Sequence, residues 1–170
     1  MSQQVFREEN GYYEIVFPEG TACIQLDKFY KGSNLKSVDI IVDTDEKTIL
    51  MEYKNSTIPN AANPNSFCEK LKGESHSIDI ARKYYDSLLY VLSKQLPGKT
   101  LHYHYVVEAH FLDSVTRKWL AEKIINHLPF KLQKRIEATL ITDFTVDTIS
   151  DWNKRYPNFA LEYSEPRSSG

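Results

Sequence analysis

The chain has 170 residues, 41% of them hydrophobic and 26% charged, the balance of a globular protein long enough to bury one sizeable core. No run approaches the roughly 18 apolar residues of a membrane span, and the N-terminal MSQQVFREEN lacks an apolar secretory core, so no membrane association and a cytoplasmic location are expected. The formal charge of −2 excludes a broadly basic, nucleic-acid-wrapping surface, although acidic metal ligands lower net charge and a local basic strip still carries backbone contacts.

In chain order, YYEIVF at 12–17 reads as a strand, closed by the turn signal Pro18-Glu19-Gly20. In TACIQLDKFYKG, alternation of Ala22, Ile24 and Leu26 predicts a strand, whereas Ala22, Leu26, Phe29 and Tyr30 share one helical face; both readings stand. Residues 37–43 and 48–54 form a hairpin, followed by a long Asn-, Pro- and Ser-rich segment at 56–75 of the kind that is often functional. Ser77 is the expected N-cap of a helix at 78–95 with an apolar stripe of Ile80, Tyr84, Leu88 and Val91/Leu92, stopped by Pro97-Gly98. A strand at 101–109 follows, then a helix from an Asp113 or Ser114 cap through Trp119, Leu120, Ile124 and Leu128 to Pro129. The order helix, strand, helix predicts a parallel crossover. A strand near 138–142, a short helix near 146–155 and a strand near 158–163 complete the chain. The class is α/β, or α+β, a mixed sheet flanked by helices. One domain at 1–165 with a loose tail at 166–170 is expected. Cys23 and Cys68 are too few and too far apart for a disulfide framework or a four-cysteine zinc site.

A turn centred on Asp45-Glu46 pairs Val38 with Tyr53, Ile40 with Met51 and Val42 with Ile49 on a wholly apolar face. The other face carries Ser37, Asp39, Ile41 and Asp43 opposite Lys54, Glu52, Leu50 and Thr48. Asp39 therefore faces Glu52, and two carboxylates about 5 Å apart repel by about 1–3 kcal/mol. A divalent cation between them offsets that cost, and Lys54 stands one pleat away, where an ammonium can hold a water or neutralise phosphoryl oxygens. Ile41 and Leu50 make this face partly apolar, as a cleft lining would be. The competing reading is an amphipathic hairpin whose polar face meets water.

An Asp on one strand followed after a turn by Glu-x-Lys on the next, here VDIIVD with Asp39 and MEYKN with Glu52 and Lys54, resembles the PD-(D/E)xK nuclease superfamily of restriction-endonuclease-like fold. The resemblance covers about residues 20–110 and that fold's αβββαβ core. Val38 stands where the family name has Pro, no third central strand is evident after Lys54, and the helix at 78–95 lacks Gln-x-x-x-Tyr. The resemblance implies Mg²⁺- or Mn²⁺-dependent hydrolysis of phosphodiester bonds, in DNA rather than RNA. It implies Asp39, Glu52 and the Tyr53 backbone carbonyl as metal ligands, and Lys54 as the residue positioning the attacking water. The upstream acidic residue of many members would be Glu14, Glu19 or Asp27.

Among several short basic clusters, Lys36, Arg82 and Lys83 are the candidate phosphate contacts. His102, His104, Glu108 and His110 alternate onto one strand face, where His-x-His with a carboxylate can chelate zinc or iron; ordinary buried histidines are the simpler reading. The alternatives to a nuclease are a catalytically inactive domain of the same fold that binds partners within a larger complex, and a histidine metalloprotein. A chain this short leaves little room for a separate recognition domain, so either a homodimer or a targeting partner is expected.

Overall fold

The structure, a computed structural model, describes residues 3–94 and 99–166. Its centre is a mixed five-stranded sheet of β3 (Ala22–Ile24), β4 (Ile40–Asp43), β5 (Lys47–Asn55), β6 (Thr100–Glu108) and β7 (Asp143–Asp147), in that spatial order. Strands β3, β4 and β5 are antiparallel, and β5, β6 and β7 are parallel, as the helical crossovers require. A smaller sheet of β1 (Val5–Arg7), β2 (Tyr13–Val16) and β8 (Glu162–Tyr163) accompanies it.

The hairpin register is the one that the alternation predicts over its inner part, with Ile40 opposite Met51, Ile41 opposite Leu50, Val42 opposite Ile49 and Asp43 opposite Thr48. Both faces of the sheet are covered. Ile41, Leu50, Tyr103, Tyr105 and Val107 pack under the helices α3 (Glu74–Ser93) and α4 (Ser114–Ile125). Ile40, Val42, Ile49, Met51 and Val106 pack with Phe6 and Ile15 of the small sheet, with Phe17 just after it and with Trp152 of α6 (Ile149–Arg155). Ile41 and Leu50 are consequently fully buried core, and the expectation that they line a cleft is corrected. Double coverage also explains why β5 and β6 are buried almost without a break, polar residues such as Glu52 and His104 included.

Several boundaries differ from the sequence reading. TACIQLDKFYKG is strand and then helix: β3 is followed by the single turn α1 (Asp27–Tyr30), so each pattern is right over its own half. The segment 56–75 contains a helix, α2 (Pro64–Lys72), capped by Asn63, whose side chain accepts the Ser66 N–H at 3.2 Å. Helix α3 then begins at Glu74, not after Ser77. Ser77 is fully buried within it, on the face that Ala81, Tyr84, Leu88 and Val91 continue, and extended backbone at Gly73 starts the helix. Leu92 and Trp119 face solvent. The expected stop at Pro97-Gly98 and the tail from 167 onward lie outside the described residues.

The strand expected near 138–142 is displaced to Asp143–Asp147. Leu140 and Ile141 instead donate their N–H groups to Gln133 Oε1 of α5 (Phe130–Ile136), which makes this apolar stretch a tethered loop. The expected last strand shrinks to β8, preceded by a single 3-10 turn at Pro157–Phe159. No helix among the described residues is long and apolar enough to cross a membrane.

Candidate active site

The ladder between β4 and β5 ends at Ile40 and Met51, so Val38 does not pair with Tyr53 as the alternation predicts. The chain leaves the sheet at Asp39 because α3 captures what precedes it. Ser87 accepts the Val38 N–H at 3.0 Å, Asp86 accepts the Lys36 N–H at 2.8 Å, and Arg82 donates to the Asn34 carbonyl at 3.0 Å. With the backbone withdrawn, the Asp39 side chain takes its place on the β5 edge: Oδ2 accepts the Tyr53 N–H at 2.7 Å. This departure brings Asp39 beside Glu52 without a direct strand pair between them.

Glu52 is only 6% exposed. Its Oε1 accepts a hydrogen bond from Lys83 of α3, whereas Oε2 is buried with no hydrogen-bond partner. Burial, reinforced by the charge of Asp39, pushes the Glu52 carboxyl up to about 8, against the pull of Lys83 and Lys54. Asp39 is shifted the same way by burial and by Glu9, opposed by the Tyr53 N–H and by Lys83 and Lys54. Burial disfavours the charged form of Lys83, but Glu52, Asp39 and Asp79 outweigh it and the ammonium is held above its ordinary value. Both shifts are upward, so each member of this buried pair holds its proton more strongly than it would in water. The partner that prevails for Glu52 is its apolar surroundings, because one of its two oxygens has nothing to bond.

A cleft of about 240 Å³ opens at Asp39, lined by Asp39, Tyr53, Lys54 and Asn55 together with Arg7, Glu8, Glu9, Gln25 and Asp27, while Glu52 and Lys83 lie behind Asp39 and do not line it. It lies toward the carboxyl end of β5, the end of a parallel strand where open α/β sheets hold ligands. Glu8 shapes its wall: the carboxylate accepts the N–H groups of Asn10 at 2.8 Å and Tyr12 at 2.6 Å, around a turn that needs Gly11 at φ 77°. The Lys54 ammonium reaches over the Phe67 ring, 6.0 Å from its centroid, and joins no salt bridge among the described residues.

Of the upstream acids, Asp27 lines the cleft, whereas Glu14 is paired with Arg7 and Glu19 lies in the turn before β3. Glu9 lines it as well, and nothing local in the sequence singles that residue out. Of the phosphate candidates, Lys83 joins the site through Glu52, while Lys36 pairs with Asp79 and Arg82 with Asp86 at 3.5 Å.

The histidines lie elsewhere. His104 is fully buried on the opposite face of the sheet, its Nδ1 within 2.6 Å of Thr145 Oγ1 and 3.1 Å of Asp147 Oδ2, and its Nε2 within 2.8 Å of Tyr156 OH. His102 stacks on it, ring centroids 6.4 Å apart. With both nitrogens of His104 occupied by protein groups, the simpler reading of an ordinary buried histidine describes it, on the face of the sheet away from Asp39. Among the described residues no group of three or more His, Cys, Asp or Glu side chains is placed to hold a metal ion.

Fold and site define an α/β protein in which a buried glutamate paired with Lys83 stands behind a partly buried aspartate, Asp39, that lines a cleft together with Lys54. Comparison with protein-family models, with curated proteins and with solved structures finds no match to this chain.

Proposed function

We propose that the chain is a metal-dependent nuclease, hydrolysing phosphodiester bonds at Asp39, Glu52 and Lys54. The observation that carries this reading is the bare, buried Oε2 of Glu52 next to Asp39. Two carboxylates pressed into a low-dielectric site, one with an oxygen that no protein group satisfies, form an arrangement that a hard divalent cation completes. Support also comes from the antiparallel β3–β4–β5 meander followed by helix and parallel β6, the order of the restriction-endonuclease-like core. In this reading β3, which precedes the hairpin, serves as the third strand of that core.

The donors fit Mg²⁺ or Mn²⁺: the free oxygen of each carboxylate, and the Tyr53 carbonyl on the strand edge whose N–H Asp39 accepts. When bound, such an ion supplies charge for the phosphoryl oxygens and the leaving oxygen. Lys54 lines the cleft with its ammonium over Phe67, and on swinging from that ring it would donate to the attacking water. Lys83 keeps Glu52 oriented through Oε1 and leaves Oε2 for the site. DNA is the proposed substrate in preference to RNA.

A second reading, a catalytically inactive interaction module of the same fold, is favoured by one observation: Lys83 and the Tyr53 N–H already give each carboxylate a partner. Cleavage of a plasmid and of labelled oligonucleotides with Mg²⁺, Mn²⁺ or chelator, in the parent and in Lys54→Ala, decides between them. The nuclease reading expects divalent-dependent cleavage reduced about a hundredfold or more by Lys54→Ala. Cleavage undiminished in that variant would sink it, and binding without cleavage by either protein would favour the module.

A further inference from the structure

Four tyrosine rings run outward from the cleft. Tyr53 lines it; Tyr13 lies 6.4 Å from Tyr53, Tyr163 lies 5.8 Å from Tyr13, and Tyr12 stacks on Tyr163 at 6.4 Å with the planes 28° apart. Exposure rises from 8% at Tyr53 through the partly buried Tyr13 to 63% at Tyr163, and Tyr12 beyond it is again partly buried. A cross-strand aromatic pair accounts for Tyr13 and Tyr163, which are register partners between β2 and β8. It does not account for Tyr12. Neighbouring residues in extended chain point to opposite faces, yet Tyr12 turns back onto Tyr163, held by the Ser164 N–H bonding to its carbonyl at 2.8 Å and by Glu8 bonding to its N–H.

We propose that this series is a base-stacking track that feeds single-stranded nucleic acid to the Asp39–Glu52 site, an inference that rests on the nuclease reading. Charge points the same way. A duplex is held by many cations on its phosphates, but the cleft lining has only Arg7, which is paired with Glu14, and Lys54, against Glu8, Glu9, Asp27 and Asp39. Stacking on aromatic rings needs few phosphate contacts and reads any base, because every base has a π-face. A paired base has its faces covered by neighbours in the duplex, so only a strand already open can use the track.

The test uses the full chain in chelator, so that binding is read apart from cleavage. The probes are a 12-nucleotide DNA carrying 2-aminopurine, the RNA of the same sequence, and the corresponding DNA duplex. Fluorescence anisotropy should show the single strand bound at least ten-fold tighter than the duplex, with 2-aminopurine quenched on binding. RNA bound as well as DNA supports the track equally. Tyr163→Ala should weaken binding about ten-fold, with Tyr163→Trp restoring it and Tyr163→Leu, which keeps apolar bulk without a ring, failing to do so. Duplex bound as tightly as single strand, no binding of either, or Tyr163→Leu equal to the parent overturns the proposal. Failure of the nuclease reading looks different: single strands are bound and quenched through the tyrosines but never cut when Mg²⁺ or Mn²⁺ is added.

Discussion

Adjacent strands of the central sheet carry two buried polar clusters, one on each face. Glu52 of β5 faces α3 with Lys83, and His104 of β6 faces α6 with Asp147, Thr145 and Tyr156. Both side chains are almost wholly buried. They differ in satisfaction. Each nitrogen of His104 has a partner, and Asp147 is further tied to Thr145 at 2.8 Å and Arg155 at 3.2 Å, so that its carboxyl is held below the ordinary range despite burial. Glu52 has one oxygen bare and its carboxyl pushed far above that range. A closed network positions a fold; an open one holds chemistry in reserve, since a buried group left short of partners costs stability that only a ligand or a reaction step recovers.

Substitution should separate the two clusters most sharply. Glu52→Gln is expected to lower divalent-dependent cleavage about a thousandfold, equivalent to about 4 kcal/mol of barrier, while leaving thermal stability equal or higher. His104→Ala should do the reverse. It orphans Asp147 and Tyr156 and opens a cavity beside Trp152, costing about 3 kcal/mol or more in chemical denaturation, with the turnover of the folded fraction unchanged. If His104→Ala abolishes turnover without loss of stability, the division of labour between the faces is wrong.

Acidity should distinguish them next, with opposite signs. In chelator, native Glu52 keeps a proton up to about 8, whereas an unfolded chain releases it near the ordinary 4.5. Between those values the native state binds more protons, so stability falls as pH rises, by roughly 2 kcal/mol between about pH 6 and 7.5. Asp147 acts the other way: burial raises its carboxyl, but His104, Thr145 and Arg155 outweigh burial, so its contribution is present above the ordinary 3.8 and is lost as pH falls through the lower native value. Urea titrations across pH should give a slope above pH 6 that Glu52→Gln removes and that Asp147→Asn leaves in place. A slope unchanged in Glu52→Gln would place the buried proton on another group.

What was legible in the chain follows the range of the interaction. The hairpin pairing from Ile40 to Asp43 is local, set by alternation and a turn at 44–47 in which Thr44 donates its N–H to the Lys47 carbonyl at 2.9 Å. Asp39 beside Glu52 is an extrapolation of that register by one residue. Its actual cause is distant: α3 peels Val38 from the sheet through Ser87, forty-nine positions away. No spacing encodes that event, nor the reach of Lys83 to Glu52, nor the arrival of Glu9 at the cleft. Other misses were local and readable. Asn63-Pro64 is a helix start, with a capping amide before a proline whose missing N–H costs nothing there. The strand DFTVD at β7 alternates more cleanly than the apolar ATLIT before it, where apolar content outweighed period.

The smallest expected effect concerns the positive charges at the edge of the site. Lys36 and Arg82 are natural phosphate contacts on the sequence alone, yet Lys36 bonds Asp79 and Arg82 bonds Asp86 and the Asn34 carbonyl, which pins the segment that delivers Asp39. Lys36 and Asp79 are both substantially exposed, so their pair contributes between about 0.2 and 1 kcal/mol. Lys36→Ala should therefore lower stability within that range and reduce cleavage only a few-fold, through looser placement of Asp39. Two readouts separate that from loss of a phosphate contact. A lost contact raises KM and flattens the dependence of binding on salt by about one phosphate, whereas a loosened Asp39 lowers kcat and leaves the salt dependence of binding as it was. The second pattern is expected, because an ammonium already committed to Asp79 has its counterion in the protein and releases none on binding.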